Sequence, residues 1–237
     1  MRLCKISKSL TSLAKVGSLA VAIVAAPVAV AAGDMLTPDE VKTTGISANP
    51  ANDSGLFVGA GARLGQSRST DGGSSPGVGT LLFVEPGYQA NTGSWSRFEV
   101  STELFTGSLN YRLPASSSLG GKSTLSGLNG GMLKVGHGYS LGDQMFGVLK
   151  AGVGYASTVY EAEAGTTKLK SDRTSGLAWT LGWQMVAPFA SRFDFTTGIS
   201  WTQFQFDVDF ANAGGTGSGR QVLANLLAAD AGLRFRF

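Results

Sequence analysis

The segment SGLAWTLGWQM, Ser175 to Met185, decides the fold through its strict alternation. Its large apolar residues are Leu177, Trp179, Leu181, Trp183 and Met185, and the positions between them are Gly176, Ala178, Thr180, Gly182 and Gln184. Side chains of a β-strand point alternately to opposite faces, whereas a helix would spread this pattern over its whole surface. The segment therefore predicts a strand with one apolar face and one small or polar face.

The same alternation recurs along the chain from Leu56 onward. It is found in LFVGAGARLG (56–65), LLFVEPGYQ (81–89), WSRFEVSTELF (95–105), MLKVGHGYSL (132–141), GVLKAGVGYA (147–156), RFDFTTGISWT (192–202) and LLAADAGLRFRF (226–237). In the segment after 192 the parity slips near Gln203, which predicts a β-bulge there. Each segment has the nine to eleven residues that a tilted membrane strand needs.

The connections between these segments alternate in length. Short ones lie at 91–94, 141–143 and 187–191, and long polar ones at 66–78, 107–127, 158–173 and 209–219. Short turns at one end and long loops at the other are typical of outer-membrane barrels. We therefore predict an all-β fold over 55–237, an eight-stranded antiparallel up-and-down transmembrane β-barrel.

The second face of the strands carries charges among many glycines. These are Arg63, Glu85, Arg97, Glu99, Glu103, Lys134, Lys150, Asp194, Asp230, Arg234 and Arg236. A soluble barrel would turn its apolar face inward, but so many glycines suit a narrow interior better than a solvated exterior. The pattern favours an internal salt-bridge network in the lumen, with a narrow path for ions or small solutes as the alternative.

Aromatic residues lie near the ends of the apolar face. With both termini in the periplasm, Tyr88, Phe98, Tyr139, Trp183, Phe193, Phe235 and Phe237 fall near the short turns. Tyr155, Trp179 and Trp201 fall towards the long loops. Aromatic residues concentrate at both interfaces of a bilayer, so these residues predict two aromatic belts.

The N-terminal region has the composition of a secretory signal. Residues 1–32 combine a basic stretch, an apolar stretch and the small-residue pattern Ala29-Val30-Ala31, which predicts a cleaved signal peptide, with an uncleaved membrane anchor as the alternative. Residues 33–54 are polar and predict a periplasmic extension. The only cysteine, Cys4, lies in the signal.

Net charge gives no indication of nucleic-acid binding. The formal charge is +3, but four of the 19 basic residues lie in the first 32 positions, which hold no acid. The remaining 15 basic residues face 16 acidic ones, so the mature chain has no basic excess.

The C-terminus carries the most specific motif, DAGLRFRF. Asp230, Gly232, Phe235 and Phe237 resemble the C-terminal signal of bacterial outer-membrane barrels, in which alternating aromatic residues end the chain. With the strand count, residues 55–237 resemble the small eight-stranded family typified by the OmpA barrel and OmpX. The resemblance implies an outer-membrane location and recognition by the barrel assembly machinery.

Catalytic chemistry has one weak candidate. His137, the only histidine, lies near Ser140, and some eight-stranded outer-membrane barrels are lipid A deacylases. A spacing of three places the two residues on opposite faces, and no carboxylate is near on the same face. We expect no enzyme, metal or cofactor, and a lipid A-modifying enzyme remains an alternative.

The long connections are rich in Ser, Thr and Gly, which favours solvated surface loops, with Tyr111 and Tyr160 as anchors for a partner as the alternative. The sequence predicts a monomer in contact with outer-membrane lipid and lipopolysaccharide, with an envelope-structural or adhesin-like role. The long loops are the candidate contacts to a host or surface ligand.

Overall fold

The computed structural model describes residues 54–69, 74–93, 95–113, 121–141, 145–164, 167–208 and 220–237. The predicted signal peptide, Cys4 and all but Ser54 of the predicted extension lie outside these residues. The strands are β1 Gly55–Ser69, β2 Gly77–Gly93, β3 Ser96–Leu113, β4 Gly121–Ser140, β5 Phe146–Ala164, β6 Thr167–Lys170, β7 Thr174–Ala190, β8 Phe193–Val208 and β9 Arg220–Arg236. In the described residues no helix is long and apolar enough to cross a membrane.

Eight of these strands form a closed antiparallel meander, as predicted. Each of them pairs with its neighbours along the chain, and β1 pairs with β9 to close the sheet, for example at Ala62 and Ala231. The short strand β6 pairs with the end of β5 and extends that strand into a hairpin. Closure removes both sheet edges, so the backbone hydrogen bonds are made within the barrel.

The strands extend beyond the predicted segments at one end of the barrel. The long connection predicted at 107–127 is largely the hairpin of β3 and β4, and much of 158–173 belongs to β5 and β6. We call this the loop end, and the opposite end, with the short connections, the turn end. Backbone pairing at the loop end therefore continues past the predicted membrane-spanning length.

The predicted bulge near Gln203 is wrong. The β7–β8 pairing is regular there, with Trp179 opposite Gln203 and Leu177 opposite Gln205. Register shifts occur instead at Asn91/Gly93, Gly107/Leu109, Ser126/Asn129 and Pro188/Ala190. The apolar parity changes near Gln203 because apolar side chains of β8 beyond this residue face the lumen instead of the exterior.

Candidate functional site: the lumen and the outer rim

The lumen contains all eleven charged residues that the sequence assigned to it. Each is buried, and each makes at least one ion pair, within one continuous network of Arg63, Glu85, Arg97, Glu99, Glu103, Lys134, Lys150, Asp194, Asp230, Arg234 and Arg236. Buried charges need such partners, because an isolated one is costly to desolvate. We call this set the lumen network.

Glu103 joins two cations at the centre of the network. Arg63 donates two parallel hydrogen bonds to it, at 2.5 and 2.6 Å, and Lys134 donates a further one. The Nε of Arg63 also lies 3.3 Å from Asp230. The two-pronged contact is the strongest form of an arginine–carboxylate pair.

A second carboxylate, Glu85, continues the network towards the turn end. It accepts hydrogen bonds from Lys150 and from the hydroxyl of Ser101, each at 2.7 Å. Lys150 also lies 3.2 Å from Glu99, and Glu99 connects the network to the arginines nearer the turn end.

Arginines dominate the part of the network nearest the turn end. Glu99 pairs with Arg97 at 2.8 Å and with Arg234 at 2.9 Å. Asp194 pairs with Arg234 at 3.3 Å and with Arg236 at 3.0 Å. A Cβ at Gly138 would lie 2.7 Å from Cγ of Arg97, so glycine makes room here for an inward arginine.

Aromatic rings on the lumen face cover three of the guanidinium groups. Arg234 lies 4.5 Å from the ring centre of Phe57, Arg63 lies 4.8 Å from Phe83, and Arg97 lies 4.6 Å from Phe146. This role of the phenylalanines was not predicted from the sequence. The sequence signal was that these phenylalanines share the strand face of the lumen charges. A guanidinium group over an aromatic ring is stabilised there by the cation–π interaction.

Above the network, the loop end of the lumen is filled by an apolar cluster. Its members include Leu81, Phe105, Leu109, Tyr111, Leu125, Leu128, Met132, Tyr160, Phe204, Phe206, Val208, Val222 and Leu226. The rings of Phe105 and Phe204 are 5.9 Å apart, and those of Phe204 and Phe206 stack with 6.2 Å between centres. We call this set the lumen plug.

Tyr111 and Tyr160 belong to the plug rather than to a surface. Their exposed fractions are 2% and 1%, and the hydroxyl of Tyr160 donates to Ser123 at 3.0 Å. The expectation that they anchor a partner, or lie in solvated loops, is therefore wrong. The strands continue past the membrane-spanning length and turn these side chains inward.

The part of the lumen that holds the network includes a small cavity. A cavity of about 10 Å³ touches Phe57, Glu85, Lys150 and Arg234, close to the smallest volume that holds one water. Nearer the turn end, Phe146, Val148 and Val186 form a second apolar group. Within the described residues, charged groups thus lie between apolar groups along the lumen.

The exterior carries the complementary apolar face. Leu64, Leu82, Val153, Leu181, Ile199 and Leu233 are among the exposed apolar residues. None of the belt residues Tyr88, Phe98, Tyr139, Trp183, Phe193, Tyr155, Trp179 and Trp201 is buried. Two indoles pack edge to face at 4.4 Å (Trp179 and Trp201), and Trp183 donates to the Tyr139 hydroxyl at 2.7 Å.

Two exposed aromatic residues near the turn end were missed by the belt assignment. Trp95 and Phe189 are 76% and 62% exposed and lie in or beside the short connections. Trp95 precedes β3 on the parity of the lumen charges, and Phe189 lies beside the register shift at Pro188/Ala190, within the connection predicted at 187–191.

A ring of uncharged polar residues ends the apolar face towards the loop end. Every barrel strand contributes one outward residue, and none of them is buried: Gln66, Thr80, Thr106, Asn129, Ser157, Ser175, Gln203 and Asn225. On β4 and β8 this polar ring lies roughly ten residues from the aromatic residues Tyr139 and Phe193, the length that crosses the apolar part of a bilayer.

His137 faces outward, opposite Phe98 on β3 and Leu149 on β5, and is exposed. Ser140 lies at the end of β4, where its backbone N–H donates to Trp95. In the described residues no three His, Cys, Asp or Glu side chains are grouped to hold a metal ion. The structure therefore does not bring a base and a nucleophile together at this place.

The C-terminal residues form the end of the closing strand. Asp230 faces inward to Arg63, and Gly232 pairs with Gly61 of β1. Phe235 packs between Phe193 and Phe237, with ring centres at 5.1 and 5.0 Å, and Phe237 is 70% exposed. The backbone N–H of Phe237 donates to Leu56, so the last residue is still paired.

A closed barrel with an apolar exterior and a charged, buried interior has the arrangement that lipid imposes on a spanning sheet. The chain is thus an eight-stranded transmembrane β-barrel of the bacterial outer-membrane type. No protein-family model and no curated protein matches it.

Solved structures with a similar fold are outer-membrane proteins. Neisserial surface protein A is 17% identical, with a TM-score of 0.36, over 78% of this chain and 98% of that one. A major outer membrane protein of Thermus thermophilus is 15% identical, with a TM-score of 0.49, over 77% and 99%. OprG of Pseudomonas aeruginosa is 15% identical, with a TM-score of 0.44, over 78% and 97%. The similarity concerns the barrel architecture.

Proposed function

We propose that this barrel acts through its exterior and its loop end, in an envelope-structural or surface-interaction role. The observation that carries the proposal is the filling of the lumen. The lumen plug lies between the loop end and a lumen network in which every charged residue has an ion-pair partner, and this supports a sealed interior rather than a narrow channel. With the interior occupied, the surfaces left for interaction are the lipid-facing wall and the loop end.

Planar-bilayer recordings test the sealed interior. The purified barrel is expected to give no steady single-channel conductance, because ions would have to cross the apolar groups of the plug. A second sample, with both Phe204 and Phe206 replaced by alanine, provides the comparison, since these changes remove stacked rings from the plug. Steady conductance of the unmodified barrel would refute the proposal and favour the channel.

Surface interaction is tested at the hairpin of β3 and β4. Deleting all of 107–127 would also remove Leu109, Tyr111 and Leu125 from the plug, so the sharper change replaces only 114–120 with a short Gly-Ser linker. Adhesion of whole cells is expected to fall while the barrel keeps its heat-dependent gel mobility. Unchanged adhesion after equivalent replacement of 209–219 as well would oppose an adhesive role and leave the structural one.

The proposal has three further parts. The barrel assembly machinery recognises Phe235 and Phe237, residues 1–32 are removed as a signal peptide, and the barrel is a monomer. The exposed terminal ring and its place on the closing strand support the first of these. An enzymatic role of His137 is tested by comparing lipid A mass spectra of cells with and without His137→Ala, and we expect no difference.

A further inference from the structure

One charged side chain, Arg173, is held against the polar ring on the outside of the barrel. Its Nη1 donates to the hydroxyl of Ser157, a ring member, at 3.1 Å and to the carbonyl of Gly127 at 3.3 Å. Ser157 lies two residues beyond the exposed Tyr155 on the same face of β5. The guanidinium therefore lies at the upper boundary of the apolar face.

The backbone around Arg173 is shaped to receive it. The register between β4 and β5 shifts between Ser126 and Asn129, and Gly127 has a φ of +55°, a conformation that favours glycine. In this conformation the carbonyl of Gly127 accepts hydrogen bonds from Arg173 and from the side-chain amide of Asn129, the latter at 2.8 Å. Thr106 in turn donates to Asn129 at 2.7 Å, so the arrangement spans three strands.

Arg173 retains donor groups for a ligand. In the described residues no hydrogen bond uses its Nε or Nη2, and no acidic group forms an ion pair with it. The nearby acids Glu161 and Glu163 are paired with Lys170 at 3.0 Å and Lys168 at 3.1 Å. Asp172, next in the chain, is exposed.

Two further cations lie on the same sector, farther from the apolar face. Arg112 of β3 and Lys122 of β4 are directly opposite each other, and both are exposed. Like charges in such a cross-strand pair repel each other and destabilise the sheet. Lys122 also lies opposite Glu163 of β5, whose carboxylate pairs with Lys168 at 3.1 Å. Arg112 and Arg173 are therefore the cations that make this sector suited to a negatively charged partner.

We infer that Arg173, held in place by the polar cluster of Thr106, Gly127, Asn129 and Ser157, binds a phosphate of lipid A, the anionic glycolipid of the outer leaflet. The partner is membrane lipid rather than a soluble polyanion because Arg173 lies at the boundary, with apolar residues below it for acyl chains, among them Leu104 and Tyr155. Arginine suits this role because its planar donors match phosphate oxygens. The inference rests on the proposed orientation, in which the loop end faces outward.

Lipid binding to the purified full-length barrel in non-ionic detergent tests the inference. Diphosphorylated lipid A and chemically dephosphorylated lipid A are the two probes, read by native mass spectrometry and by the temperature at which the folded gel band is lost. The phosphorylated lipid is expected to bind and to raise that temperature, since a ligand of the folded state stabilises it. Arg173→Gln is expected to weaken binding about tenfold, a change that one charge-assisted contact accounts for.

Arg192→Gln is the matched control, because Arg192 is an exposed arginine at the turn end. It should bind lipid A as the unmodified barrel does, and Arg173→Lys, which keeps the charge but not the planar donors, should be intermediate. Equal binding of dephosphorylated lipid, equal loss with Arg192→Gln, or binding of a soluble polysulfate in preference to lipid A would each overturn the inference. None of these results affects the conductance test, so a failure here is distinct from a failure of the sealed-lumen proposal.

Discussion

Glu103 lies at the centre of the lumen network, where it accepts hydrogen bonds from both Arg63 and Lys134. It is fully buried, so water cannot replace either cation. Strand parity was sufficient to place this carboxylate and the other ten charges on one face. Parity gave no information about which acid faces which base, because several pairs join strands that are not neighbours, such as Arg234 with Glu99 and Lys150 with Glu85.

We predict that Glu103→Gln lowers the free energy of unfolding by about 3–5 kcal/mol, because it removes the closest carboxylate from two buried cations. Arg63 then keeps only the contact to Asp230 at 3.3 Å, and Lys134 only the contact to Glu85 at 3.9 Å. The measurement is a urea titration of the barrel in phospholipid vesicles, followed by tryptophan fluorescence. Glu163→Gln is the control, since Glu163 makes an exposed ion pair with Lys168, and such pairs contribute about 0.5 kcal/mol. A loss below about 1 kcal/mol for Glu103→Gln would contradict the central role of this residue.

At the scale of one element, β8 shows why the sequence pattern was misread. Phe195, Ile199 and Trp201 face outward, whereas Phe204 and Phe206 face the lumen, with no change in pairing. Beyond the polar ring the exterior meets water and the interior is filled by the plug, so the apolar parity reverses while the backbone stays regular. A change of the apolar face from exterior to interior and a β-bulge produce the same shift of parity in a sequence. Only the pairing register of the strands distinguishes them.

Replacing a plug residue is expected to cost more than replacing a lipid-facing residue of the same strand. Phe204→Ala should lower the free energy of unfolding by about 3–5 kcal/mol through the cavity it leaves among packed side chains. Phe195→Ala should cost less, since lipid chains refill the space at the exposed site. Equal losses in the same vesicle titration would show that the plug is not tightly packed.

The closing strand β9 combines a structural role with its proposed role as an assembly address. Phe237 is exposed and contacts Phe235, but it contributes no buried surface to the lumen. Phe237→Ala is therefore expected to reduce the amount of folded barrel in cells several-fold, while refolding of the purified chain into vesicles proceeds as before.

Phe189→Ala is the comparison for that experiment, because Phe189 is a similarly exposed ring at the same end of the barrel. It should leave the cellular yield unchanged. If Phe237→Ala impaired refolding in vesicles as much as the yield in cells, the residue would have a structural role. That result would contradict its proposed role in recognition by the assembly machinery.

For the whole molecule, the proposed orientation in the membrane, with the loop end outward, is based on the unequal ends of the barrel. The sequence has one cysteine, Cys4, so a Cys4→Ser background allows a single reporter thiol. Lys168→Cys at the loop end should react with a membrane-impermeant maleimide in intact cells, and Trp95→Cys at the turn end only after permeabilisation. The opposite labelling pattern would reverse the orientation on which the lipid A inference rests.

The number of strands, their antiparallel order and the charged face could all be predicted from alternation, because lipid imposes the same two-residue period on every spanning strand. The plug could not, since its residues lie beyond the lipid, where that constraint ends. The Arg173 site depends on a bulge and one positive φ, and neither has a reliable signature in a single sequence.

The long sequence separation of the lumen pairs has a consequence for how the chain enters a bilayer. Arg234 and Glu99 are 135 positions apart, and Lys150 and Glu85 are 65 apart. A sheet that lacked its last strand would present Asp194 without either of its partners, Arg234 and Arg236, and an unpaired charge at membrane depth is expensive. Partly assembled sheets are thus disfavoured in lipid, which makes insertion and closure a single cooperative event and gives truncated chains no stable place in the membrane.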